Sequence, residues 1–182
     1  GSWLRCTREK LTSAKNLLKR DTPSNITAAP NSQKSEQTEH GGLKMDRELL
    51  KNELVRDEGC VFEVYLDSEG LPTFGIGHLC KPLDPEYGYA VGTKVTPDRV
   101  NECFEKDIDI AVKEVVERYP FFDDLNDVRQ RVFVNMTFNL GSTRLGMFKK
   151  FLAAVEARDY ETAAEEMLDS KWAEQVKGRA DR

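Results

Sequence analysis

The sequence predicts an α+β chain in two lobes: a small one built on an antiparallel hairpin, and a larger helical one joined to it by a long helix. Three observations carry that reading. Residues 62–66 alternate in the manner of a strand and are followed by a turn and a second short strand-like run. Residues 97–118 keep a helical apolar period without a break. Beyond Pro120 every apolar stretch repeats with helical spacing, and no further strand signal occurs.

The elements follow in order. Residues 3–20 are basic and form a helix with Leu4, Leu11, Leu17 and Leu18 as its apolar positions; the run has no continuous apolar core, so it is not a signal peptide. Residues 21–42 are rich in Thr, Ser, Pro, Asn and Gln, which is linker composition. Asn25-Ile26-Thr27 is a glycosylation sequon, relevant only in a secreted eukaryotic protein. Order is expected from Leu43. Asp46 is placed to cap a helix whose stripe is Leu49, Leu50, Leu54 and Val55, and Gly59 stops that helix just after Asp57-Glu58. The strand at 62–66 leads into Asp67-Ser68-Glu69-Gly70, which is turn chemistry, and residues 71–76 return. Residues 81–95, rich in Pro, Gly and Tyr, read as a loop. Thr96-Pro97-Asp98 then opens the long helix, with a cap, Pro in the first turn and an acid near the positive end. Residues 126–140 form the most apolar helix, ended by Gly141; residues 144–157 and 159–169 are further helices, and Trp172 lies in a short last segment.

Composition narrows the function. The chain has 182 residues, enough for one domain or two small lobes, and a net charge of -5, which gives no support to nucleic-acid binding. No apolar run is long enough to cross a membrane. Two histidines and four cysteines without zinc spacing exclude a His-rich or zinc-ribbon metal site. Two disulfides are possible but not implied. Cys60, Cys80 and Cys103 sit in apolar contexts and are expected as small buried hydrophobes.

One stretch carries chemistry. Residues 57–78 read DEGCVFEVYLDSEGLPTFGIGH. Glu58 stands at a helix end and Asp67 at the hairpin tip nine positions later. With 32 acidic residues in the chain, an Asp–Glu pair alone means little. The frame gives this pair weight, because two carboxylates facing each other across a cleft are what glycoside hydrolysis needs. Gly75 and Gly77 alternate in a strand, where glycine is disfavoured unless something approaches closely. His78 reads as a structural histidine paired to a carboxylate, since hydrolysis by two carboxyls requires no histidine base.

The frame resembles the lysozymes of T-even bacteriophages and their phage-type relatives, the endolysins and muramidases. The shared parts are Asp57-Glu58-Gly59, then Tyr65-x-Asp67-x-Glu69-Gly70, then Thr73-x-Gly75-Ile76-Gly77-His78-Leu79. The similarity continues through Phe104-x-x-Asp107-x-Asp109, Asn135-Met136-x-Phe138-x-x-Gly141, and Ser170-x-Trp172 to Gly178-Arg179-Ala180. It covers about residues 45–182, leaving 1–44 as an N-terminal extension of helix and linker.

The resemblance implies the two-lobe lysozyme fold and assigns roles. Glu58 matches the general acid, and Asp67 the second carboxylate, described as nucleophile or as the group that orients the attacking water. Thr73 matches the residue sharing that water. Leu79 and Phe138 match substrate-cleft positions; Phe151 and Glu166 align with two more, where the family usually carries Ser and Asn. His78 and Asp107 match a buried ion pair, Arg179 a cation beside the general acid, and Glu69 with Lys171 a charge pair across the cleft mouth. The loop at 81–95 is shorter than its T-even counterpart. The family continues past the position of Arg182 into a helix that closes the helical lobe, and the helix at 3–20 is expected to take its place.

The implied activity is bacteriolytic hydrolysis of the β-1,4 bond between N-acetylmuramic acid and N-acetylglucosamine, by a monomer acting on bacterial cell-wall peptidoglycan with no metal or organic cofactor. Action on the wall implies secretion, or release from a phage or host cell. The alternative expectation is a catalytically weak peptidoglycan-binding or effector module on the same fold, in which residues 1–44 act as an address.

Overall fold

The computed structural model describes residues 8–20 and 43–169. Helix α1 (Arg8–Leu18) comes first, and α2 (Arg47–Glu58) opens the second described stretch. The Asp46 side chain caps α2 by accepting the Leu49 N–H at 3.0 Å. Gly59, at φ 71°, closes it with its N–H on the Val55 carbonyl. The buried face is Leu50, Leu54 and Glu58 at i, i+4 and i+8, whereas Leu49 is 47% and Val55 39% exposed. The expected apolar stripe was thus rotated: the inward row runs straight into an acidic side chain.

The small lobe is an antiparallel sheet of β1 (Val61–Leu66), β2 (Pro72–Gly75) and β3 (His78–Leu79), in that order. Tyr65 pairs with Thr73 and Leu66 with Pro72; across β2, Thr73 pairs with Leu79 and Phe74 with His78. The β1–β2 turn is tied by Asp67, whose Oδ1 accepts the N–H groups of Glu69 and Leu71 at 2.8 and 2.9 Å. The segment expected as loop ends by pairing with the free edge of β1. Val64 N–H donates to Thr93 O, Gly92 N–H to Val64 O, and Val95 N–H to Phe62 O. That pairing covers an edge which would otherwise present unsatisfied backbone groups.

Helix α3 (Pro97–Arg118) has 22 residues and so spans about 33 Å. Thr96 caps it, and Val100, Cys103, Phe104, Ile108, Ala111, Val112 and Val115 are its buried row. It touches β2 and β3, and also α4, α5 and a 3-10 turn at Pro120–Asp124, which makes it the link between the lobes.

The helical lobe surrounds α4 (Asp127–Leu140), with α5 (Ser142–Leu145), α6 (Lys149–Glu156) and α7 (Tyr160–Asp169). Helix α4 is buried nearly all round, as a central helix must be. Phe133 is its hub: its ring meets Tyr119, Phe121 and Phe122 edge-on and stacks on Phe151 at 5.5 Å.

Helix α1 packs on α7 and α4. Leu18 is fully buried, and its carbonyl accepts a hydrogen bond from Arg129 Nε at 2.9 Å. Asn126 Nδ2 donates to the Arg20 carbonyl at 3.4 Å, so α4's first turn satisfies carbonyls left open at the end of α1. The Arg129 guanidinium lies 3.4 Å over the Tyr160 ring, and Lys19 pairs with Glu161. Leu4, Trp172, Lys171 and Arg179 lie outside the described residues. Of the described cysteines, all free, Cys80 and Cys103 are buried, but Cys60 is exposed. Cys60 follows the helix stop directly, where the chain has left α2 and has not yet entered β1, so its apolar neighbours in sequence do not enclose it.

Candidate active site

Glu58 reaches the site because it ends the buried row of α2. Its side chain is 5% exposed. It lies over the turn between β2 and β3: a Cβ built on Gly77 would stand 3.2 Å from Glu58 Oε2. The two glycines of the Thr73–His78 run therefore have separate causes. At Gly75 a Cβ would stand 2.9 Å from Val100 Cγ1, so that glycine lets β2 lie against α3. Both adopt positive φ, 63° and 68°.

Asp67 sits at the opposite end of β2, partly exposed at the hairpin tip. With Oδ1 committed to the turn, Oδ2 takes no hydrogen bond from the described residues. Thr73, 2% exposed, is buried beneath this corner between its partners Tyr65 and Leu79. Its Oγ1 donates to Leu71 O at 3.0 Å. A hydroxyl whose proton is so committed can only accept from anything else it meets.

The end of α2 is held from the helical lobe as well. Asn135 Nδ2 donates to Asp57 Oδ2 at 3.3 Å, and Asn139 Nδ2 donates to Asn135 Oδ1 at 2.6 Å. Asn139 was not foreseen; its one signal is its i+4 spacing from Asn135.

His78 behaves as a structural group and has two partners rather than one. Nδ1 lies 2.7 Å from Asp107 Oδ2 and Nε2 lies 3.2 Å from Asp84 Oδ2. Burial pulls the imidazole pKa down, but the two carboxylates outweigh it and leave it raised. Asp84 is lowered: desolvation opposes this, and the Lys81 N–H, His78 and Arg99 prevail. Arg99 also grips the buried Glu86 through two hydrogen bonds of 2.8 and 3.0 Å, which fastens the 81–95 segment to the start of α3. Asp84 was not foreseen, because a lone acid in an aperiodic loop carries no pattern.

Of the expected cleft positions, Leu79 is half-buried directly across from Thr73, and Phe138 is half-buried with its ring edge-on to Phe104 at 5.9 Å. Glu166 is half-buried on α7. Phe151 is 1% exposed and stacked on Phe133, so its side chain belongs to the core of the helical lobe. Asp67, Thr73 and Leu79 share one corner of the sheet, while Glu58 stands at the other end of β2 over Gly77.

The family model for phage lysozymes matches residues 55–181. The chain belongs to the phage lysozyme family. It is 32% identical over 153 residues to the probable T4-type lysozyme 1 of Dictyostelium discoideum, a match covering 73% of this chain and 89% of that protein. It is 33% identical over 147 residues to the pre-baseplate central spike protein Gp5 of Enterobacteria phage T4, covering 71% of this chain and 26% of that one. Against the endolysin of Salmonella phage P22 the identity is 29% over 118 residues, 63% of this chain and 75% of that protein. For a phage lysozyme family member, the α+β two-lobe fold seen here is the architecture the sequence predicted.

Proposed function

We propose that this protein is a peptidoglycan hydrolase that cleaves the β-1,4 bond between N-acetylmuramic acid and N-acetylglucosamine. The observation that carries the reading is the contrast between two carboxyls within the family-matched region: Glu58 buried at the end of a helix, Asp67 partly exposed on a hairpin tip. Contrasting environments are how one site keeps one carboxyl protonated and another ionised.

In this mechanism Glu58 donates its proton to the leaving glycosidic oxygen. Asp67 Oδ2 accepts one proton of a water molecule and Thr73 Oγ1 accepts the other, because the hydroxyl's own proton is spent on Leu71 O. A water held by both hydrogens turns a lone pair toward the anomeric carbon, on the face away from Glu58. Asp67 also faces the oxocarbenium-like charge of the transition state. Leu79 and Phe138 offer apolar surface to sugar faces, with Glu166 at the α7 side. Helix α1 acts as part of the helical lobe, since its last turn is capped and buried there.

The test is release of reducing ends from purified peptidoglycan, with the muropeptides identified by their reducing sugar. Glu58→Gln keeps the shape but cannot give up a proton, so turnover should fall at least ~10²-fold while the fold and wall binding persist. Near-normal hydrolysis by that variant refutes the assignment.

A further inference from the structure

The environment of Gly77 differs from those of Gly70, Gly75, Gly88, Gly92 and Gly141, which share its positive φ. Its three nearest contacts all belong to one side chain, Glu58, whose Oε2, Cδ and Cγ would stand 3.2, 3.8 and 4.0 Å from an added Cβ. By contrast Gly70, Gly88, Gly92 and Gly141 face open space, and Gly75 faces a core valine. The acidic group thus lies along the bare Cα of Gly77.

We infer that Gly77 is a positioning residue for Glu58: the missing Cβ is the surface on which the carboxyl rests, and it sets the point at which the proton is delivered. The inference rests on Glu58 being the general acid.

A carbon–oxygen approach of 3.2 Å is inside ordinary van der Waals contact, so a methyl group there must displace something. The backbone on either side has little freedom. Glu58 is the last residue of α2, locked by the Gly59 N–H on Val55 O, and Gly77 is followed at once by His78, which is held by both Asp84 and Asp107. Relief comes from rotation of the Glu58 side chain, which moves the carboxyl itself. The shift required is a few tenths of an ångström, and since a misplacement of ~1 Å costs up to ~10²-fold in rate, a loss of about 3–10-fold follows. The sugar-binding surface at Leu79 and Phe138 is unaltered, so the loss falls on kcat and leaves KM in place.

Glycine at this position also has a purely conformational explanation, since φ is 68° and side chains disfavour that region. The two explanations separate with three variants. Gly77→Ala adds both the strain and the collision. Gly77→Asn also adds a Cβ, but asparagine tolerates left-handed backbone well. Gly141→Ala, at φ 80° with nothing within 4 Å, adds strain alone.

The experiment measures kcat, KM and the pH profile of kcat on purified peptidoglycan, together with thermal melting, for the wild type and the three variants. Both Gly77 variants are expected to lose about 3–10-fold in kcat with KM retained, the share of the ~10²-fold cost of a ~1 Å misplacement that a shift of a few tenths of an ångström carries. The limb of the profile that reports the general acid should also move, because the carboxyl's surroundings have changed. Gly141→Ala is expected to lower Tm and leave kcat unchanged. Wild-type kcat in Gly77→Asn overturns the inference, as does a Gly77→Ala variant that loses only Tm; should Gly77→Ala fail to fold, Gly77→Asn decides. A wild type that releases no reducing ends, or a fully active Glu58→Gln, refutes the functional reading instead.

Discussion

Asp84 holds the second nitrogen of the His78 ring, across from the one that Asp107 holds, with 3.2 Å between its Oδ2 and His78 Nε2. The imidazole is therefore clamped between two carboxylates that arrive from a loop and from α3. The clamp makes stability depend on pH. His78 is raised in the fold, so its contribution is complete below the free-histidine value of about 6.5 and fades as pH rises through the folded value. Asp84 is lowered, so its contribution is complete above the free-aspartate value of about 3.9 and fades as pH falls through its folded value. Asp84→Asn should cost roughly 1.5–3 kcal/mol between about pH 4 and 6.5, and less above the folded value of His78, where only the Lys81 and Arg99 contacts remain to lose. Urea unfolding at about pH 5.5 and about pH 9 measures both. An equal loss at the two pH values would show that His78 and Asp84 are not coupled.

Thr73 tests the fate of the water. Thr73→Val keeps the β-branched shape that suits β2 and removes the hydroxyl that bonds Leu71 O. If the hydroxyl helps hold the attacking water, kcat should drop by about one to two orders of magnitude with KM little changed. The wild-type products should carry inverted anomeric configuration, which NMR of freshly released sugar reads directly. Full activity in Thr73→Val, or retained configuration in the wild type, rules out the water-holding role.

Leu18 tests whether α1 belongs to the folded lobe. The side chain is fully buried against a helical lobe built by residues more than a hundred positions away. Leu18→Ala should cost about 2–5 kcal/mol, as for other buried leucines cut to alanine. The exposed Asn16 is the matched control; Asn16→Ala should be close to neutral. Equal melting temperatures for the two variants would mean that α1 contributes nothing to the lobe.

Most of the helices and several of their ends were legible in the sequence because they are set locally; the single helix expected at 144–157 is instead two, α5 and α6, separated at Gly146–Phe148. Asp46, Thr96, Asn126, Gly59 and Gly141 satisfy or end their helices through contacts within four residues, and local chemistry is visible in a one-dimensional string. The frame of Asp57-Glu58-Gly59 followed by the Thr73–His78 run was legible as well, and with it the family. Three things were decided only in three dimensions. Phe151 became core because Phe133 turns a ring toward it, whatever its alignment with a cleft position. Asp84 joined His78 because residues 81–95 fold back to pair with β1 and to be gripped by Arg99, a closure no local pattern encodes. Gly77 acquired its meaning from a side chain nineteen positions earlier, the difference between 77 and 58, which the tertiary fold brings within 3.2 Å of where its Cβ would be. Local order follows from short-range hydrogen bonding along the chain, whereas which side chains meet depends on how close-packed elements exclude one another, and that is settled only when all of them are in place.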